Sequence, residues 1–276
     1  MKRIQKVSVH TFDIKSKVTR KINLPLEEGG YIPRIRFTQD PNKLAIMTLN
    51  HHQNRFDLYF ADPRSTVCKL AVRDESDTYI RENVFDNIIF YPETFSFVSE
   101  RSGYNHLYWY NINGNLIKQV TSGSYEVQDF LGYDPENGSF ITAATKKSAA
   151  QRYLQDRPQR QKTKLSSHTG TNSALFSTDM KYFMNRYSSL DIPTVITLND
   201  NNGKTLTTLV DNAALKQKLN GYDMPKKEFF SFQTSEGTEL NGWMIKPANF
   251  SASKKYPVLM YQTAVQARSR YLTSSA

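Results

Sequence analysis

Turns recur along this chain at a spacing that few folds use. A turn at Asp40-Pro41 stands between two strand-like runs. Equivalents follow at Tyr91-Pro92, Asp134-Pro135 and Thr178-Asp179, at intervals of 51, 43 and 44 residues. Between them lie short alternating segments, such as those holding Ile35, Phe37, Leu44, Ile46, Leu49, Phe56, Leu58 and Phe60, while helical periodicity is almost absent up to residue 210. Asn113-Gly114 and Asn202-Gly203 add two-residue hairpin turns. The third strand of successive units carries an aromatic cluster, Leu58-Tyr59-Phe60 and then Leu107-Tyr108-Trp109-Tyr110. Four short strands per repeat of about 40–50 residues predict propeller blades; the competing fold is a sandwich whose regularity is accidental. The blades are expected over 31–72, 84–121, 124–166 and 172–210, preceded by half a blade at 7–24.

The texture changes beyond residue 210. Asp211-Asn212 is expected to cap a short helix reaching Leu219, with Gly221 at C′. Strands are predicted at 228–233, 239–246 and 256–262. The last contains the continuous apolar run Pro257-Val258-Leu259-Met260-Tyr261, which reads as a buried parallel strand with nothing after it to pair. A domain boundary is placed at 221–227.

Composition narrows the function classes. The 16 Phe, 16 Tyr and 2 Trp supply enough buriable area to exclude a disordered coil. A single cysteine, Cys68, excludes an intramolecular disulfide and a cysteine-based zinc site. No apolar run approaches the roughly 20 residues of a spanning helix, and no apolar stretch follows the N-terminal charges, so no membrane segment or export signal is expected in this chain. The net charge is +10, concentrated in Lys2, Arg3, Lys6, Lys15, Lys17, Arg20 and Lys21 and in Lys146, Lys147, Arg152, Arg157, Arg160, Lys162 and Lys164. Neither cluster interleaves aromatics as a single-strand-binding platform does, so no nucleic-acid partner is expected. Arg101, Tyr104, Tyr108 and Trp109 do mix charge with rings, but alternation assigns half of 104–110 to the core.

Catalytic motifs are missing. No two glycines lie four apart, so the G-x-S-x-G nucleophile elbow does not occur. His10, His51, His52, His106 and His168 stand in no metal-ligand spacing, and His51-His52 reads as a solvated loop. Gly203-Lys204-Thr205 lacks the upstream glycine of a phosphate loop and is better read as a hairpin turn. Asn137-Gly138-Ser139 and Asn249-Phe250-Ser251 are formal glycosylation sequons. No catalytic, cofactor-binding or metal residue is assigned, and no cofactor is expected.

Two strings carry a family resemblance. Ser99-Glu100-Arg101-Ser102-Gly103-Tyr104-Asn105-His106-Leu107-Tyr108, followed by Gln119 to Val127, resembles the propeller of the dipeptidyl peptidase IV family, bacterial type. Leu240-Asn241-Gly242-Trp243-Met244-Ile245-Lys246-Pro247, with Lys254-Lys255-Tyr256-Pro257-Val258-Leu259-Met260-Tyr261, is similar to the first strands of that family's α/β-hydrolase domain, and Asp211 to Leu215 to the linker between them. The resemblance implies an eight-bladed propeller capping a serine exopeptidase of the prolyl oligopeptidase clan. Such an enzyme removes N-terminal X-Pro or X-Ala dipeptides with a Ser-His-Asp triad and an oxyanion hole. A propeller glutamate pair holds the substrate amine, the enzymes are often homodimers, and bacterial members are expected in the periplasm or cell envelope.

By this alignment the glutamate pair is expected before the first residue and the triad beyond the last. Glu27-Glu28 is read as a loop between blades and not as the amine anchor. The oxyanion tyrosine belongs to a Y-x-G-P-x-S-Q motif whose place is taken by Thr263, while Tyr261 comes two residues early.

Three segments look like frame slips. Synonymous codons for residues 263–272, read one base earlier, spell YSGPGSQQVL, the missing oxyanion motif. Residues 149–160 shifted by one base spell PLNAIYKIDRK, with the alternation a third blade strand needs. Residues 1–5 similarly hide GEKNS. A strand at 150–156 is therefore expected to be distorted or unpaired, with Pro158 and its polar neighbours unable to sustain a central ladder. The resulting expectation is a mainly β chain: a partial β-propeller of about half a blade plus four blades over 1–221, then a short stub of an α/β-hydrolase domain over 222–276. It would be a peptidase fragment without activity alone. A free-standing propeller-like peptide- or protein-binding module is the alternative.

Overall fold

The computed structural model describes residues 6–145, 154–156, 162–166, 168, 170–189, 192–225, 227–237 and 239–261. The segments 1–5, 149–153, 157–160 and 263–272, on which most of the frame-slip reading falls, lie outside the described residues.

Strands run in chain order. A hairpin of β1 (His10–Phe12) and β2 (Thr19–Lys21) precedes a four-stranded antiparallel meander of β3 (Tyr31–Phe37), β4 (Leu44–Leu49), β5 (Arg55–Ala61) and β6 (Cys68–Glu75). Helix α1 (Asn83–Asp86) leads into a three-stranded sheet of β7 (Thr94–Ser99), β8 (His106–Asn111) and β9 (Leu116–Gln119). The next sheet orders β10 (Glu126–Asp134), β11 (Ser139–Thr145), β12 (Leu154–Asp156) and β13 (Lys162–Thr163), and another orders β14 (Thr171–Phe176), β15 (Tyr182–Ser188), β16 (Val195–Asp200) and β17 (Thr205–Val210). Helix α2 (Ala213–Leu219) is followed by a hairpin of β18 (Lys227–Gln233) and β19 (Glu239–Ile245). Separate small meanders, one per repeat, are blades; a sandwich would gather these strands into two packed sheets.

The chain divides into two compact units, 1–130 and 131–276. In the first, β4 is buried along its whole length and β5 along all but its first residue, while β3 and β6 are partly exposed. Middle strands covered on both faces read as near-continuous apolar runs. Aromatic rings fill the space between the sheets: Phe56 lies 5.4 Å from Phe97, and Phe60 meets Phe95 edge to face at 5.7 Å. Edge-on and tilted ring pairs add specific geometry to the apolar area they bury. Val9 and Ile22, flanking the first hairpin, pack with Leu44, Ile46 and Tyr59. In the second unit Ile141, Ala143, Leu165, Met180 and Phe183 form a corresponding cluster.

Five expectations are corrected. The blade at 84–121 has three strands, because α1 and an extended stretch fill the first position. There Ser96 Oγ accepts from Ile89 N and donates to Asn87 O, standing in for part of the backbone ladder. Burial over 104–110 does not alternate: His106 to Tyr110 are all buried, since β8 is covered on both faces. Residues 154–156 are paired, with Ile141 opposite Gln155 and Gln155 opposite Thr163. A ladder bonds through the backbone, so β11 and β13 hold a three-residue strand that its own side-chain pattern would not specify. Helix α2 ends with Asn220 in the right-handed region, and Gly221 shows no positive φ. Finally, 256–261 forms no strand and no described strand pairs with it; Val258 and Leu259 are 88% and 97% exposed.

Candidate functional site

One end of the sheets in the first unit carries a polar recess of about 720 Å³. Its walls come from where strands stop: Asp74 and Glu75 end β6, Glu100 and Arg101 follow β7, and Asn105 precedes β8. The loop 76–82 supplies Asp77 and Arg81. Loops at strand ends are free to vary while the sheet fixes their roots, which is why such a rim can carry recognition.

Two arginines organise the walls. Arg81 Nε lies 2.6 Å from Glu100 Oε1, and its two terminal nitrogens donate to the Glu126 carboxylate at 3.1 and 3.2 Å. A planar guanidinium matched to both carboxylate oxygens is directional as well as attractive. Arg101 reaches Asp74 Oδ1 at 3.1 Å, and donates to Ser99 Oγ at 3.1 Å and to Tyr110 Oη at 2.8 Å. Its guanidinium also sits over the Tyr108 ring at 4.8 Å. Ser99 Oγ donates to Asp74 Oδ1 at 2.9 Å. Arg55 pairs with Glu27 at 2.6 Å.

Burial sets the electrostatics. It raises the Asp74 carboxyl above its ordinary value, although Arg101 and Ser99 pull the other way. Glu100 is raised for the same reason, against the opposing charge of Arg81. Burial works against the charge on Arg81, but Glu126 and Glu100 more than offset it and hold the guanidinium protonated. Tyr110 is pushed up by burial.

The described lining of the recess includes no histidine or cysteine, and Ser76 Oγ is 3.2 Å from Thr78 Oγ1. A histidine that activates a serine must stand within hydrogen-bond reach of it. Among the described residues no three His, Cys, Asp or Glu side chains group as metal ligands, and no helix is long and apolar enough to cross a membrane. His51 and His52 are exposed beside a turn, where the His51 ring stacks on Tyr31 at 6.3 Å. Glu27 is tied to Arg55 and accepts from His51 N at 3.2 Å. His106 is buried between Thr121 Oγ1 and Gly123 O, at 3.1 and 3.0 Å. Tyr261 is exposed, and Thr263 lies outside the described residues.

The family-like string 99–108 thus forms one wall of the recess. Asp74 and Arg81 escaped sequence reading, and Glu126 stood there only as one letter of the family-like string. Their one further signal was charge of opposite sign at neighbouring strand ends.

Comparison with known proteins agrees with the blade architecture. A family model described as the dipeptidyl peptidase IV N-terminal region matches residues 2–194. The crystal structure of Porphyromonas gingivalis dipeptidyl peptidase 4 superposes with a TM-score of 0.91 at 37% identity, over 97% of this chain and 38% of that one. A putative dipeptidyl aminopeptidase IV from Bacteroides ovatus shares the fold, with a TM-score of 0.74 at 23% identity, over 89% of this chain and 38% of that one. A probable dipeptidyl peptidase 4 of Emericella nidulans is 27% identical over 245 residues, 80% of this chain and 30% of the relative. The chain therefore spans under two fifths of the length of these relatives.

Proposed function

The chain belongs to the dipeptidyl peptidase IV family, and we propose that it is the propeller-bearing segment of a serine-type dipeptidyl peptidase that removes X-Pro or X-Ala dipeptides from peptide N-termini. The observation that carries this reading is the match to the Porphyromonas gingivalis structure over 97% of the chain. On it, 1–221 supplies blades and the linker helix, and 222–276 begins the hydrolase domain. The exposed run Val258 to Tyr261 supports that division, because a continuous apolar run of this kind suits a parallel strand inside a sheet covered on both faces.

The 276 residues alone are inactive on this reading, since they contain no G-x-S-x-G nucleophile. The propeller's part is to select and orient peptides, and a serine, histidine and aspartate from elsewhere in the full-length enzyme do the chemistry. Incubating the chain with a Gly-Pro chromogenic substrate should give no release above buffer. Turnover that a serine-directed inhibitor abolishes would overturn the reading.

A further inference from the structure

The recess in the first unit has more fixed negative charge than its arginines neutralise. Arg55, Arg81 and Arg101 are each committed, to Glu27, to Glu100 with Glu126, and to Asp74. Glu75 and Asp77, exposed on the lining, enter no ion pair among the described residues. A ligand arriving here therefore meets uncompensated carboxylates and no available guanidinium, which disfavours an anion.

A second observation is independent of that charge. Asn105 lines the recess and is 1% exposed. Its Nδ2 donates to Val127 O at 2.5 Å, whereas its Oδ1 is buried and accepts no hydrogen bond. Buried acceptors left open cost free energy unless a donor arrives. An unfilled acceptor beneath an acidic rim calls for a group that is cationic and carries N–H donors.

We propose that this recess receives a lysine or arginine side chain of a peptide, with an N–H group directed at Asn105 Oδ1 and its charge balanced by Glu75 and Asp77. That the ligand is a peptide rests on the function proposed above; the preference for a basic group rests on the recess alone. A volume of about 720 Å³ leaves room for the aliphatic stem as well as the head group.

The test is calorimetric titration of the full 276-residue chain with N-acetyl-arginine amide, N-acetyl-lysine amide and the uncharged N-acetyl-norleucine amide. The basic probes should bind saturably and at least about tenfold tighter than norleucine. Added salt and the double substitution Glu75→Gln/Asp77→Asn should each weaken them several-fold and leave norleucine unchanged. Both substituted side chains are exposed, so the fold is expected to survive, and an unchanged thermal unfolding curve checks that. Equal binding of all three probes, no saturable binding, or basic-probe binding indifferent to the double substitution would each overturn the proposal. None of those results bears on peptidase activity, which the titration does not measure.

Discussion

Cys68 opens β6 facing the cluster of Val9, Ile22 and Ile46, and burial pushes its thiol up to about 11. Because the thiolate is the reactive form, the native chain at mildly alkaline pH should react with a thiol-directed disulfide reagent far more slowly than the urea-unfolded chain. Equal native and unfolded rates would contradict the half-buried placement. At this scale sequence reading was poor at assembly. A lone cysteine excludes an intramolecular disulfide from the letters alone. The pairing of Arg81 with Glu126 spans 45 residues and depends on which strand ends the fold brings together. Asn105 looked like one residue of a family string, and only its burial shows an open acceptor.

Hairpin turns show how one blade seats on another within a unit. Gly114 has φ +90°, and a Cβ there would run into the backbone of Ala71 in β6. Gly203 repeats the arrangement in the second unit: φ is +86° and a Cβ would lie 2.8 Å from Leu165 O. Both Asn-Gly turns were legible because the dipeptide signals positive φ, but the close approach beneath them was not. Gly103 separates the two effects, having φ +94° and nothing within 4 Å. Gly103→Ala should cost only conformational strain, about 1–2 kcal/mol, whereas Gly114→Ala should cost clearly more, because strain and overlap with backbone add. Urea unfolding of the two variants measures this; equal losses would show that the Gly114 turn is not seated on Ala71. Blade boundaries were readable because turn chemistry is local. The three-stranded blade was not, since Ser96 substitutes for ladder bonds with a side chain no pattern marks, and neither was β12, whose pairing is imposed by its neighbours.

Over the whole molecule, the repeat of about 40–50 residues was the most informative feature of the sequence, because a blade is a local meander whose strands follow one another in the chain. The region after residue 210 was less legible. Helix α2 and the β18–β19 hairpin stand where local signals put them, but the apolar run at 257–261 was read as a buried strand and stands exposed, because a parallel strand exists only with its partners. The proposed function places these blades in a peptide-trimming enzyme of the dipeptidyl peptidase IV family. The most direct test is a chimaera of the Porphyromonas gingivalis enzyme in which residues 31–121 of this chain replace the matching blades, assayed for release of Gly-Pro from a chromogenic substrate. Release at a rate comparable with the parent enzyme is expected, whereas a chimaera that matches the parent in elution volume and thermal unfolding yet releases no dipeptide would contradict the proposed function.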